Sequence, residues 1–163
     1  LHYPLRRQRQ MCIRDRKIIF LYMTTHKKTM PPLGKYEKNV VKTARLLDNF
    51  HKSIYVVAGA KWKKYSACKT NVSYKTTEEL MKLFDIRLQK ALLPLGQLGT
   101  KPKGCPNYIG NCAEQHACNE VLLQDKEFKA KIKDIKFSLA YRPRTCQIVP
   151  YCSNCTKTFN IHN

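Results

Sequence analysis

Gly110-Asn111-Cys112-Ala113-Glu114 and Pro150-Tyr151-Cys152-Ser153-Asn154-Cys155 are the two stretches on which the reading of this 163-residue chain turns. A Cys-x-x-Cys pair presents two thiolates to one metal ion from a single turn, and zinc, a borderline-soft cation, favours sulfur ligands. A third thiolate from Cys112 makes three protein ligands and leaves the fourth tetrahedral position open, which distinguishes a catalytic zinc from a closed structural one. Glu114, two residues beyond that ligand, is spaced to reach a water in the open position without binding the metal itself.

Helix geometry strengthens the second role. The pattern predicts a helix from 111 to about 124, and positions i+3, i+4, i+7 and i+8 from Glu114 are Ala117, Cys118, Val121 and Leu122, an apolar stripe headed by the carboxylate. A carboxylate turned toward the interior has a raised proton affinity, which suits proton uptake and delivery near neutral pH.

Each fragment also has a plainer reading. Asn111-x-x-Glu114 fits a capping box, with Asn111 as the cap and Glu114 folding back on its amide. An isolated Cys-x-x-Cys serves metal binding, redox chemistry or neither. Cys105 is a competing fourth ligand that would close the site. With four ligands and Glu114 as a cap, the chain would be a noncatalytic zinc-stabilised nucleic-acid-binding module. His116 reads as a polar helix residue, Cys118 as core, and Cys12, Cys68 and Cys146 as outside the site.

Upstream of these stretches, Tyr36, Val40, Ala44, Leu47 and Phe50 recur at spacings of three and four, predicting a helix over 35–51. Residues 54–57, then Gly59, then 62–72 read as an antiparallel strand pair. Thr77, Glu78 and Glu79 open a helix carrying Leu80, Leu83, Phe84, Leu88 and Leu92, closed by Pro94 and Gly96. A Gly/Pro/Lys-rich loop over 96–110 leads into the site helix, and Ile135, Phe137, Leu139 and Tyr141 alternate as a half-buried strand. Pro143 and Pro150 bracket a loop before a last short helix over 152–158. This order, helix, two strands, two helices, strand and helix, predicts a three-layered α/β domain. Residues 1–16 read as a non-native or disordered leader, 17–34 as a linker, and 35–163 as a single domain.

Lys and Arg number 31 against 11 Asp and Glu, a formal net charge of +20. Setting aside the five arginines and one aspartate of residues 1–16 still leaves +16. The basic residues are interleaved with aromatics through a chain that is 43% hydrophobic, so a folded, polyanion-seeking domain is expected rather than a basic tail. A membrane is not expected as a partner, because no stretch approaches the roughly 18 apolar residues a span requires. Eight cysteines in a chain of this length do not suggest a disulfide miniprotein. With three on a metal, the odd remainder points to a reducing compartment.

Cys112-Ala113-Glu114 followed by Cys152 and Cys155 resembles the zinc-dependent cytidine deaminase-like superfamily. Gly110-Asn111-Cys112-Ala113-Glu114-Gln115-His116-Ala117 is similar to its bacterial-toxin and metagenomic branches, which include DNA cytosine deaminases. The resemblance implies a three-layer α/β/α cytidine deaminase-like fold with a short mixed sheet flanked by helices. It implies zinc on Cys112, Cys152 and Cys155, a proton shuttle at Glu114, and backbone at Ala113 holding the base. DNA, single-stranded and double-stranded, is the expected partner and cytosine the expected base; cytosine or adenine in RNA is the alternative. The toxin branch further implies a secreted effector acting in a target-cell cytoplasm, with an immunity protein in the producer. Two departures stand out: Tyr151 separates Pro150 from Cys152, where many members have proline directly before cysteine, and the chain ends soon after the last helix, which predicts a shortened sheet.

Free-nucleoside deaminases need no basic surface, so the charge favours a polynucleotide. Arg142 and Arg144 beside the zinc cysteines are candidate phosphate clamps, and Lys61, Trp62, Lys63, Lys64 and Tyr65 a candidate basic-aromatic contact. Trp62 equally suits hairpin packing, with the lysines solvating its outer face. Tyr108 and Tyr151 are expected at the pocket mouth, with the same alternative.

Overall fold

Gly59 explains why the first helix and the first strand meet as they do. A β-carbon there would collide with the Tyr36 ring and lie 2.7 Å from Val40 Cγ2, so the helix lies directly on strand backbone. In the computed structural model, which describes residues 34–47 and 55–162, that helix is α1 (Lys35–Leu46) and the strand is β1 (Val57–Trp62). The leader and linker expectations fall outside the described residues apart from Gly34. Expected helix past 47 reaches undescribed positions, and Leu47 itself is extended.

Strand β2 (Tyr65–Thr70) pairs antiparallel with β1 from Val57 opposite Thr70 to Trp62 opposite Tyr65. The expected pair is there, but its turn lies at Lys63 and Lys64 rather than at Gly59, and Lys63 takes the left-handed backbone (φ 50°) that the tight reversal needs. The apparent turn glycine is a packing glycine in mid-strand.

The helix expected over 77–92 is two: α2 (Thr77–Leu83), opened by a Thr76–Glu79 capping box, and α3 (Ile86–Leu92), capped by Asp85. Tertiary bonding wins over local periodicity at the break. Asp85 N donates to Asn119 Oδ1 at 2.7 Å, while Asn119 Nδ2 donates to Leu83 O at 3.1 Å. Asn119 lies on α4 (Ala113–Gln124), the helix that carries the quoted site stretch. Arg87 fixes the other end of α4: its guanidinium donates to both Asp85 oxygens at 2.9 Å, to Asp125 Oδ2 at 2.7 Å and to Leu122 O at 2.6 Å.

The strand expected over 135–141 is interrupted into β3 (Lys136–Phe137) and β4 (Ala140–Tyr141), both antiparallel to β1. Between them Ser138 N donates to Gly59 O and Gly59 N donates to Ser138 Oγ, so a side chain substitutes for one ladder bond. The irregularity re-aims the residues of β4, as a bulge does. Leu139, read as a core position, is exposed, and Ala140 is buried. A short β5 (Ile148–Val149), not foreseen, pairs antiparallel with β4, and α5 (Ser153–Phe159) is the last described element.

The architecture is α/β, with a small sheet of order β2-β1-β4-β5, β3 also on β1, flanked by helices. Every pairing among the described residues is antiparallel, which corrects the expected mixed sheet. Short hairpins join β1 to β2 and β4 to β5, and a parallel neighbour would need a crossover in place of each. Side chains alternate across β1: Val57 packs with Val40 and Ala44 of α1, whereas Ala60 and Trp62 join Leu80, Leu88, Ala117, Cys118 and Val121 in the main core. No helix among the described residues is long and apolar enough to cross a membrane.

Candidate metal centre and its cavity

Gly110 turns the chain into the site. Its φ of +106° lies where side chains are strained, and a β-carbon would overlap Leu80. From this pivot the next residues form the mouth of α4. Gly110 N donates to Gln115 Oε1 at 2.8 Å, Cys112 N donates to the same oxygen at 3.4 Å, and His116 Nε2 donates to Gly110 O at 2.8 Å.

The capping box is therefore built by Cys112 and Gln115, one residue beyond the expected Asn111 and Glu114. Glu114 has no part in the cap. Asn111, released from capping, lines the cavity below, and its Oδ1 is buried without a hydrogen-bond partner. His116 is buried, edge-on to Phe84, and desolvation drives its pKa down to about 4, so it is a neutral polar helix residue as its sequence position suggested.

Two helix starts meet at the thiols. Cys112 is the N-cap of α4 and Cys152 the N-cap of α5, with Cys155 one turn on. The Sγ atoms of Cys112 and Cys152 are 3.3 Å apart, and those of Cys112, Cys152 and Cys155 all lie within 4.8 Å of one another. Sulfurs sharing a tetrahedral zinc with bonds near 2.3 Å are separated by about 3.8 Å, so the triad needs only small adjustments to hold one. The donor set is also right for a soft or borderline cation. No other group of three candidate ligands gathers among the described residues; Cys105 is buried away from the triad.

The neighbouring Cys112 and Cys155 side chains hold the pKa of Cys152 far below the ordinary thiol value. Cys112 and Cys155 are held high, first by hydrogen bonding within the triad and then by burial and the charge nearby.

Glu114 is 5% exposed, and its Oε2 accepts from Cys155 Sγ at 3.4 Å. Burial raises its pKa, partly offset by its bond to backbone and by the Cys155 thiol. Ala117, Cys118, Val121 and Leu122 are fully buried, as the apolar stripe requires. The carboxylate, Cys112, Ala113 and Cys152 form one wall of a cavity of about 340 Å³, at the small end of ligand sites. Tyr55, Asn71, Asn107, Tyr108 and Pro150 contribute to the rest of the lining.

The other expected contacts divide. Tyr108 lines the cavity, but Trp62 and Tyr151 do not. Trp62 is 8% exposed in the main core, stacked on Tyr65 with Lys63 Nζ 4.6 Å from its ring centroid, which is the hairpin-packing alternative. Tyr151 points to the sheet, donating to Ser138 O at 2.7 Å. Arg142 and Arg144 are exposed on the β4–β5 hairpin, outside the cavity lining, where Arg144 N donates to Ala44 O at 2.7 Å. Sequence reasoning missed Tyr55 and Asn71. Both stand at strand ends, and the clue was Asn71 directly after a β-run: its Oδ1 accepts from the amides of Tyr55 and Val56, squaring off the cavity edge.

Comparison with protein-family models, with curated proteins and with solved structures found no match.

Proposed function

We propose that this domain is a zinc-dependent hydrolytic deaminase that converts cytosine to uracil in DNA. The observation that carries the reading is the juxtaposition of three thiols within 4.8 Å of one another, a buried carboxylate 3.4 Å from one of them, and a cavity lined by that carboxylate with Cys112 and Cys152. The α/β architecture with helices packed on both faces of a small sheet is compatible with the cytidine deaminase-like fold that the Cys112-Ala113-Glu114 signature implies.

Cys112, Cys152 and Cys155 would hold the zinc, which would supply the Lewis acidity needed for a water to lose a proton near neutral pH. Glu114 accepts that proton. It delivers it to the ring nitrogen next to the amino-bearing carbon as oxygen adds there, then assists departure of the amino group as ammonia. Water and cytosine are consumed; uracil and ammonia are formed. Ala113 backbone and the neutral amides of Asn71 and Asn111 supply polar groups for an uncharged heterocycle.

DNA is favoured as the carrier of the base by the formal net charge of +20 and by exposed cations such as Arg142 and Arg144. A single strand suits a small cavity, since its base enters without the cost of unpairing and unstacking. The test is to incubate zinc-loaded protein with single-stranded DNA, duplex DNA and RNA, and to read every position by sequencing. Cytosine-to-uracil conversion in DNA is expected. Conversion of adenine, or of RNA alone, would overturn the assignment of base or polymer.

A further inference from the structure

Tyr55 and Tyr108 line the cavity, and Tyr74 packs against Tyr108 from outside that lining. Tyr55 and Tyr74 are 59% and 58% exposed, and Tyr108 is half-buried in the lining. A single exposed tyrosine is ordinary. Here Tyr74 and Tyr108 are in contact edge to face, with centroids 5.0 Å apart at 65°, and Lys101 Nζ lies 4.6 Å from the Tyr108 ring centroid.

The two segments that present them are held firmly. Val72 N donates to Asn111 O, Gly99 N to Ile109 O, Ile109 N to Thr100 O, and Thr77 Oγ1 to Leu98 O. The rings are thus displayed from cross-braced backbone, which reduces the ordering cost of binding. The segments that carry them are basic in sequence. Residues 55–75 carry five lysines, residues 96–113 carry two, and neither stretch contains an aspartate or glutamate.

We propose that Tyr74 and Tyr108, with Lys101, form a stacking platform for the nucleotide adjacent to the one whose base enters the cavity, so that the partner engaged there is single-stranded nucleic acid. The proposal rests on the reading of the cavity as a nucleobase site. A base offers a flat apolar face to an aromatic ring whatever its identity, and its phosphate offers an anion to the neighbouring ammonium. Lys101 covers the ring in the free protein; the incoming phosphate draws its ammonium aside and the base takes its place. Free nucleosides lack the neighbouring nucleotide and gain nothing from this surface.

The test is binding of a fluorescent single-stranded DNA oligonucleotide with one cytosine, by anisotropy, with and without an abasic site at each neighbouring position. Tyr108→Ala and Tyr74→Ala are each expected to weaken binding of the intact oligonucleotide roughly tenfold, within the range for loss of one stacked base. The loss should vanish when the neighbour on one side is abasic. Tyr108→Phe and Tyr74→Phe, which keep the ring, should bind like the parent and guard against misfolding as the cause. Equal losses on intact and abasic strands, or parental binding by both alanine variants, would overturn the platform. A protein that deaminates the oligonucleotide yet shows no such coupling retains the deaminase reading and loses this one; coupling without any turnover does the reverse.

Discussion

Cys155 Sγ and Glu114 Oε2 lie 3.4 Å apart, so one thiol of the triad is in polar contact with the carboxylate in the cavity wall. The two residues reach each other from helices 41 positions apart in sequence. That contact places a proton-carrying group beside a cluster that could hold a metal ion, which makes the site a candidate reaction centre.

One zinc per chain is expected, bound through three sulfurs near 2.3 Å and one lighter atom. Elemental analysis with X-ray absorption measures both quantities. Four sulfur ligands would assign the site to the noncatalytic module, and Cys155→Ser should lower zinc affinity severalfold or more in competition with a chelator.

Gly110→Ala should loosen the site without touching a ligand. The new methyl group would overlap Leu80 and meet an unfavourable φ, at a cost of about 1–3 kcal/mol. Thermal melting should register that loss, and chelator competition should show weaker zinc binding as Cys112 shifts. A variant melting and binding zinc like the parent would mean that the pivot at Gly110 does not set the position of Cys112.

Acid should unfasten α4 from its far end. The Arg87 guanidinium holds the Asp85 carboxyl below its ordinary value; burial raises that of Asp125, but the Ala130 amide and Arg87 outweigh it, so its pKa too is lowered. Folded-state pKa values below the unfolded ones give stabilisation that is complete above about pH 4 and is lost as pH falls through the folded values. Arg87→Ala, which leaves both acids without their cation, should lower Tm by several degrees at pH 7 and flatten the fall in Tm below about pH 4. An unchanged acid slope would contradict the assignment.

Each half of the triad was legible because it is local, Cys152 and Cys155 sharing one turn and Cys112 and Glu114 one helix start, whereas the meeting of the halves across 40 positions was expected from the resemblance. The strand pair and the last helix were legible because they too are local. What escaped was decided by distant neighbours. Asn119 and Asp85 break a periodic helix in two, α1 pressing on Gly59 moves a turn by several residues, and the Ser138–Gly59 exchange reverses the facing of Leu139. Trp62 sits with the shifted hairpin in the core, and Tyr151 turns to the sheet. Tyr55 and Tyr74 carried no motif, since only folding brings Tyr55 to the cavity lining and Tyr74 against Tyr108.

The proposed chemistry stands on Glu114 as the proton carrier, and Glu114→Gln probes that role with the least disturbance, because the amide keeps the shape of the side chain and cannot take up or deliver a proton. Cytosine-to-uracil conversion in single-stranded DNA should fall at least 100-fold, in line with the loss of a general acid–base group, while zinc content and melting temperature stay near those of the parent. A zinc-loaded Glu114→Gln protein that converts cytosine at the parental rate would refute the role of Glu114 and the mechanism built on it.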